Sequence, residues 1–534
     1  MKIALIAPPY PLEEAPSPPL GLCYVAAACE AAGAEVLLLD FIVSRYTPEK
    51  LRAALDAFAP DVVGATAVTM NFPDAVAIIR EAKAHRPAIV TMMGGPHVSF
   101  DVDNTLRRHP ELDLIVIGEG EATLAELIPA LKTPRRWPDI AGIAFRRGDA
   151  VVRTPERPLI DDLNRLPLPA RHLLPMSRYQ ALGFPASIIT SRGCPNRCIF
   201  CLGRRMVGSK PRFRDPRRVV DEIAHLLTYG ISRINIADDL FTADKRRVQA
   251  LCAEITRRGV RFDWSAFARV NTVDPATLQA MRAAGCDSIS FGIESGDPEI
   301  LRRVRKGITL DQARRAVTWS RAAGLRVHAS FMCGLPGESP ETLARSHRFA
   351  EELGIEYGFH FLSPFPGTRV REEIAEYDLE ILTDDWRQYD ANQAIVRTSR
   401  LSPEEMDRFV AEVYHRQQEK TDPMEARYLQ GDCSDQEYLM FEGLYRMRLV
   451  YRLLAEDMIE GARLPAGADG PDPTTALVTH IARTTRMDTP LVDRTIKALV
   501  ERGYLRWETH GEESCWFWTY NNRLPHPPPG RATG

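Results

Sequence analysis

The chain predicts an α/β fold in successive parts. A doubly wound, Rossmann-like domain is expected over residues 1–131, a connector over 132–184 and a partial (β/α)6 barrel of TIM type over 185–370. A mainly helical region over 371–465 and a winged-helix-like module with a tail over 466–534 complete it. Two observations carry the α/β reading. Short apolar runs alternate with amphipathic stretches twice along the chain, as parallel strands covered on both faces require. Small and polar residues gather just beyond those runs, where open α/β sheets and barrels place their ligands.

In the first domain, strands are expected at Ile3–Ala7, Glu35–Asp40, Asp61–Thr66, Ile89–Met93 and Leu114–Ile117. Helices are expected at Leu20–Ala32, Pro48–Ala57, Phe72–His85 and Ala122–Leu131, the first ending at Gly33. Beyond the strand ends lie Pro8-Pro9, Thr66 to Thr69, Gly94-Gly95-Pro96-His97 and Gly118-Glu119-Gly120. Glycine lets backbone approach a large ring closely, although strand-to-helix turns favour the same residues. The connector is rich in Pro and Arg, with a hairpin at Ile143–Arg153 around Gly148-Asp149 and no assigned chemistry.

Barrel strands are expected at Ala186–Thr190, Arg233–Ala237, Arg261–Phe267, Ser288–Gly292, Arg326–Met332 and Tyr357–Leu362. Helices at Pro216–Tyr229, Lys245–Arg258, Pro275–Ala284, Leu310–Ala323 and Pro340–Leu353 alternate with them. Farther on, Pro403–Glu419 and Asp435–Glu460 read as amphipathic helices. Thr475–Thr484, Pro490–Arg502 and an aromatic run to Tyr520 suggest helix–turn–helix–wing, with Leu477, Ile481, Ile496, Leu499 and Val500 as its core. Arg494 and Lys497 would be its nucleic-acid readers. Two cations are too few for a phosphate footprint, so a packing or partner module is expected instead.

With 534 residues, 45% hydrophobic and 26% charged, the chain can bury two or more cores. A net charge of −3 gives no global pull toward nucleic acid or anionic membrane. No apolar run reaches 18 residues, so no membrane span is expected. The start reads as a strand, not a signal peptide. Seven of the ten cysteines are scattered, which fits a reducing cytoplasm.

The other three are Cys194, Cys198 and Cys201, spaced C-x3-C-x2-C directly after the first barrel strand. Such a loop can hold three corners of an iron–sulfur cluster and leave one iron open. Structural zinc would want a fourth ligand, and the next Cys or His is His225, inside an expected helix. A disulfide would leave one thiol over.

Thr190-Ser-Arg-Gly193 precedes the triplet, and further motifs follow in order: Asp238-Asp239-Leu-Phe241, Ala268-Arg269-Val, Gly292-Ile-Glu294-Ser-Gly296, Gly334-Leu-Pro-Gly337-Glu338 and Pro364-Phe-Pro-Gly367-Thr368. With the N-terminal domain, these make residues 1–370 resemble the cobalamin-dependent (class B) radical S-adenosylmethionine enzymes, a group that includes methylases and anaerobic magnesium-protoporphyrin ester cyclases. The resemblance implies a [4Fe–4S] cluster on Cys194, Cys198 and Cys201, with S-adenosylmethionine on the open iron. Phe200 would lie beside the adenine, and Glu294 would accept bonds from the ribose hydroxyls. Arg269 would pair with the methionine carboxylate or with Glu294. Ser330 and Gly334 would line the adenosyl pocket. Asp238 and Asp239 would reach the methionine amine or cap the next helix.

The resemblance also implies a cobalamin site built from Pro8, Pro9, Thr66, Thr69, Gly94, Gly95, Pro96, Gly118, Glu119 and Gly120, with His97 at the corrin edge. Base-replacing cobalamin domains carry D-x-H-x-x-G after the first strand; this chain has Ala7-Pro-Pro-Tyr-Pro, so no histidine is expected beneath the cobalt. The implied activity is methyl transfer to an unactivated carbon of a small molecule, with an electron donor such as flavodoxin or ferredoxin. The alternative is oxidative cyclisation of a tetrapyrrole without methyl transfer. A cofactor-sensing regulator is the non-enzyme reading. No acid–base constellation names the substrate, because radical chemistry depends on orientation more than on proton transfer.

Overall fold

Short apolar runs build the first sheet of the computed structural model, which describes residues 1–10, 16–460, 462–465, 472–511 and 513–520. The expected tail at 521–534 lies outside these residues. The strands are β1 (Lys2–Ala7), β2 (Glu35–Asp40), β3 (Val62–Thr66), β4 (Val90–Gly94), β5 (Leu114–Val116), β6 (Ile143–Arg147) and β7 (Ala150–Arg153). They lie in the order β2-β1-β3-β4-β5-β6-β7, with the first five parallel. Residues of β1 alternate between two cores: Ile3 and Leu5 join one, Ala4 and Ile6 the other. That two-sided burial is what an all-apolar run demands. The chain order reverses between β1 and β3, so a ligand crevice is expected at their carboxyl ends. The hairpin in the connector forms as read, and pairing of Leu114 with Phe145 adds it to the edge of this sheet.

Residues 96–108 carry two short helices that the sequence reading leaves out, Pro96–Phe100 and Val102–Arg108. Each spans two turns or fewer, too short for a 3.6-residue period to stand out.

The second sheet contains β8 (Ala186–Ile188). A small antiparallel pair, β9 (Ser191–Arg192) with β10 (Arg212–Phe213), follows it. Then come β11 (Arg233–Ile236), β12 (Asp263–Ala268), β13 (Cys286–Glu294), β14 (Arg326–Cys333) and β15 (Glu356–Phe361). Six parallel strands run β15-β14-β13-β12-β11-β8, an open partial barrel. The covering helices start where the sequence signals them. Asp215, Asp244, Asp274 and Thr309 each accept a hydrogen bond from the first turn.

After the barrel, the chain folds back over the first domain. The Trp386 ring stands 5.0 Å from that of His97, and Arg387 Nη2 donates to Asp74 Oδ1 at 2.9 Å. A helix at Pro403–Gln430 continues past Pro423 to Gly431, whose left-handed backbone ends it. It is followed by Asp435–Ala455. Helices Pro473–Thr485 and Thr489–Glu501 then pack on a three-stranded antiparallel sheet. Their core holds Leu477, Ile481, Ile496 and Leu499, with Val500 partly buried at its edge.

Candidate functional site

The turn after β8 is fixed before the cysteines begin. Asp238 accepts hydrogen bonds from Thr190 N and Oγ1 at 2.5 Å each and from Ser191 Oγ at 2.6 Å. Gly193 has φ +105°, and a Cβ there would lie 2.5 Å from the Lys210 carbonyl oxygen. Gly193 N donates to Asp239 Oδ2 at 3.1 Å. The chain then enters a cavity of about 500 Å³ whose wall includes Cys194, Cys198 and Cys201. Asn196 Nδ2 lies 3.3 Å from Cys194 Sγ, and Arg269 Nη1 lies 3.4 Å from Cys198 Sγ. Among the described residues, no three His, Cys, Asp or Glu side chains converge closely enough to hold one metal ion. Three thiols on one cavity wall are the donor set that a cube with one open iron takes.

The same wall carries Phe200, Asp239, Arg269 and Glu294. Glu294 ends β13 at a register shift, with φ +72°. A non-glycine residue in this region is strained, as functional positions often are. Glu294 Oε1 accepts from Lys306 Nζ at 2.7 Å, and both side chains are nearly buried. Arg269 therefore does not pair with Glu294; its Nη2 donates instead to the Lys306 carbonyl oxygen.

Three expectations for this cavity need correction. Asp238 is absent from its wall, because its carboxylate is used up by Thr190 and Ser191; Asp244 caps the following helix. Ser330 and Gly334 do not line it either. Gly334 N donates to Glu338 Oε2 at 2.8 Å, and a Cβ on Gly334 would meet Val396 at 2.8 Å.

A second cavity, of about 310 Å³, lies between the domains. Thr66, Gly94, Gly95 and Pro96 contribute from one side, with Gly118, Glu119 and Gly120 beside them. Ser191, Arg192, Ala237 and Asp239 face them from the barrel. Leu5, Leu22, Val25, Met92 and Leu124 make its wall largely apolar, as a flat macrocycle requires. Asp239 borders both cavities.

Pro8, Pro9, Thr69 and His97 are not on this wall. Pro9 lines a separate cleft with Phe41 and Tyr46. His97 is buried, stacks on Phe72 at 4.1 Å, and places Nδ1 3.3 Å from Thr69 Oγ1. Burial holds its pKa down to about 3, so the ring is neutral. It is a core residue, not a ring-edge contact. No histidine among the described residues lines the cavity.

Glu119 does more than line this space. It accepts from Arg192 Nη1 at 3.0 Å, from Arg212 Nη2 and Nη1 at 2.8 and 2.9 Å, and from Ile160 N at 2.8 Å. Arg192 Nη2 also reaches Glu121 Oε1 at 2.5 Å. Burial alone would lift the Glu119 carboxyl, but Arg212 and Arg192 outweigh it and hold it below the ordinary range. The sequence reading passed over Lys306, Asn196 and Arg212. Arg192 stood inside a quoted motif, but nothing local showed what it would meet.

Arg494 is paired with Glu442 at 3.0 Å and Lys497 with Asp493 at 2.9 Å. Both expected nucleic-acid readers are thus engaged within the chain.

A B12 binding domain model matches residues 14–128, and a radical SAM superfamily model matches residues 188–350. The chain is 35% identical over 424 residues to the uncharacterized methyltransferase PH0819 of Pyrococcus horikoshii, covering 78% of this chain and 92% of that one. It is 29% identical over 403 residues to the anaerobic magnesium-protoporphyrin IX monomethyl ester cyclase of Rubrivivax gelatinosus, covering 73% and 71%. Among solved structures, the cobalamin-dependent S-adenosylmethionine radical enzyme OxsB, with aqua-cobalamin and S-adenosylmethionine bound, gives a TM-score of 0.67 at 18% identity, covering 94% of this chain and 79% of that one. The methyltransferase TsrM of Kitasatospora setae, with cobalamin and a [4Fe–4S] cluster bound, gives 0.63 at 23%, covering 76% and 84%. At these identities the likeness is one of fold.

Proposed function

The chain belongs to the cobalamin-dependent radical S-adenosylmethionine enzymes, and on that footing we propose that it transfers a methyl group to an unactivated carbon of a small molecule or natural-product intermediate. The observation that carries this reading is that Asp239 lines both the cysteine-lined cavity and the apolar interdomain cavity. A substrate held beside it would lie between the two proposed cofactor sites.

When bound, the cluster with S-adenosylmethionine supplies a hydrogen-abstracting radical, and cobalamin supplies a transferable methyl group. The remaining work falls to the chain's own residues. Cys194, Cys198 and Cys201 would hold the cluster. Asn196 and Arg269 direct N–H groups at two of the sulfurs, which tunes the cluster potential. Phe200 gives the adenine a flat apolar wall. Glu294, positioned by Lys306, offers its free oxygen to the ribose hydroxyls. The glycine-rich loops beyond β4 and β5 would hold the cobalamin.

Anaerobic reconstitution with cluster and cobalamin, followed by turnover with methyl-labelled S-adenosylmethionine, tests the reading. S-adenosylhomocysteine and 5′-deoxyadenosine should form in about equal amounts alongside a labelled product. Deoxyadenosine without transferred label would overturn methylation. The cyclase named among the relatives supports a second reading, oxidative cyclisation of a tetrapyrrole; oxygen from labelled water in the product would then replace the methyl label. Either reaction requires a small-molecule substrate and an external one-electron donor. Among the described residues, no helix is long and apolar enough to cross a membrane.

A further inference from the structure

We infer that the short helix Pro96–Phe100 is a strut that couples filling of the interdomain cavity to the position of the cysteine loop, with Phe100 as the positioning residue; this rests on the reading of that cavity as the cobalamin site. Ser99 holds the cavity end of the strut. Its Oγ donates to the Gly95 carbonyl oxygen at 2.8 Å and accepts from Gly118 N at 3.1 Å. Both glycines line the cavity. One hydroxyl therefore joins the two loops that would meet the bound ring.

Phe100, the next residue, reaches the stretch that follows the barrel. A Cβ on Gly367 would lie 2.5 and 2.7 Å from the two Cδ atoms of the Phe100 ring. Gly367 also has φ +85°. Its backbone conformation and the approach of the ring both demand a glycine. This glycine belongs to Pro364-Phe-Pro-Gly367-Thr368, a motif absent from the walls of both cavities. Seating Phe100 gives that motif a task.

The turn that receives the ring is itself tied down. Thr368 N and Oγ1 both donate to the Phe365 carbonyl oxygen, at 3.0 and 2.6 Å. Val370 N then donates to the Ile199 carbonyl oxygen at 3.0 Å. Ile199 directly follows Cys198, and its own N donates to the Val304 carbonyl oxygen at 3.2 Å. Ile199 and Val370 are both fully buried. Close-packed contacts of this kind pass on a displacement instead of absorbing it. The link runs from the cavity glycines through Ser99, Phe100, Gly367 and Val370 to the middle of the cysteine loop. Coupling between two binding sites is reciprocal, so an ordered cysteine loop would in turn favour a filled cavity.

Hydrogen exchange, read by mass spectrometry, tests the strut on the full-length, cluster-free chain with its thiols kept reduced. Saturating hydroxocobalamin is present or absent, and its binding is followed by absorbance. Met206 and Val207 border the cavity themselves, so exchange is read at residues 196–202 and 368–372, which do not. Hydroxocobalamin should slow exchange there about fivefold or more. Phe100→Ala and Ser99→Ala cut opposite ends of the strut; both should bind hydroxocobalamin and lose that slowing. Phe100→Leu keeps an apolar contact and should retain only part of it. A ring that merely packs the domains together would speed exchange equally with and without hydroxocobalamin, and a wild-type ratio in Phe100→Ala overturns the strut. Should that variant fail to bind, a full wild-type ratio in Phe100→Leu overturns it instead. Wild-type exchange that bound hydroxocobalamin leaves unchanged overturns it as well. A wild-type chain that binds no hydroxocobalamin would remove the cobalamin reading, and the strut with it.

Discussion

Glu119, beyond the last parallel strand of the first domain, and Arg192, two residues before the first cluster cysteine, meet at 3.0 Å with both side chains buried. One ion pair thus ties the floor of the interdomain cavity to the start of the cysteine loop. Removing one partner strands the other's charge in the interior. Glu119→Gln should cost about 3–5 kcal/mol of unfolding free energy. The double variant with Arg192→Gln should lose clearly less than the two single losses added. Urea titrations measure all three. A Glu119→Gln loss below about 1 kcal/mol would count against the locking role.

Alanine at Cys194, Cys198 or Cys201 should abolish the cluster signal in Mössbauer spectra of the reconstituted protein. Cys252→Ala serves as the control, since that thiol is buried at 2% exposure in the core and should leave the spectrum unchanged. A cluster retained in any of the three variants would remove that residue from the ligand set.

Glu294→Gln keeps one acceptor oxygen but loses the charge that holds Lys306 at 2.7 Å. Charge-assisted hydrogen bonds of this kind contribute about 1.5–3 kcal/mol. S-adenosylmethionine should therefore bind roughly 10- to 100-fold more weakly in calorimetry. Unchanged affinity would make the pair purely structural.

Much of this was legible in the chain, and the misses share a cause. Phe72–His85 and Glu35–Asp40 fall where periodicity and flanking residues placed them, because local rules decide such elements. Asp238 and Asp239 are neighbours in sequence, yet one is consumed by Thr190 while the other borders both cavities. The turn after β11 (Arg233–Ile236) decides that, and no local signal shows which carboxylate points which way. Lys306 lies 12 positions from Glu294, and the sequence cannot say which of several cations meets a strand-end carboxylate. His97 looked available because its loop is polar; Phe72 and Trp386, one of them nearly 300 residues away, bury it.

His97 supplies a spectroscopic check. A histidine off the cavity wall cannot ligate cobalt, so His97→Phe should leave the absorption spectrum of bound cobalamin unchanged. Its pKa falls from 6.5 to about 3 on folding, so its contribution to stability is present above pH 6.5 and lost as pH falls toward 3. The phenylalanine variant should lack that acid-side loss, while a shifted cobalamin spectrum would restore His97 to the site.

Glu338 gives the opposite pH dependence. It is fully buried, accepts from Gly334 N and Leu335 N, and burial lifts its pKa from 4.5 to about 8. Its contribution is therefore fully present below pH 4.5 and is lost as pH rises through about 8, at about 1.4 kcal/mol per pH unit while only the native state holds the proton. Glu338→Gln should flatten that decline and exceed wild-type stability at pH 8. Parallel pH curves for the two proteins would show that the carboxyl is ionised in the native state.

Trp386 against His97, with Arg387 on Asp74, means that the polypeptide returns to its first layer only after the second is complete. A nascent chain released just past residue 370 would own every cofactor ligand proposed above and still lack its clasp. Attempts to trim this enzyme to a minimal catalytic core, or to graft its two cofactor modules onto new partners, must carry that returning stretch with them.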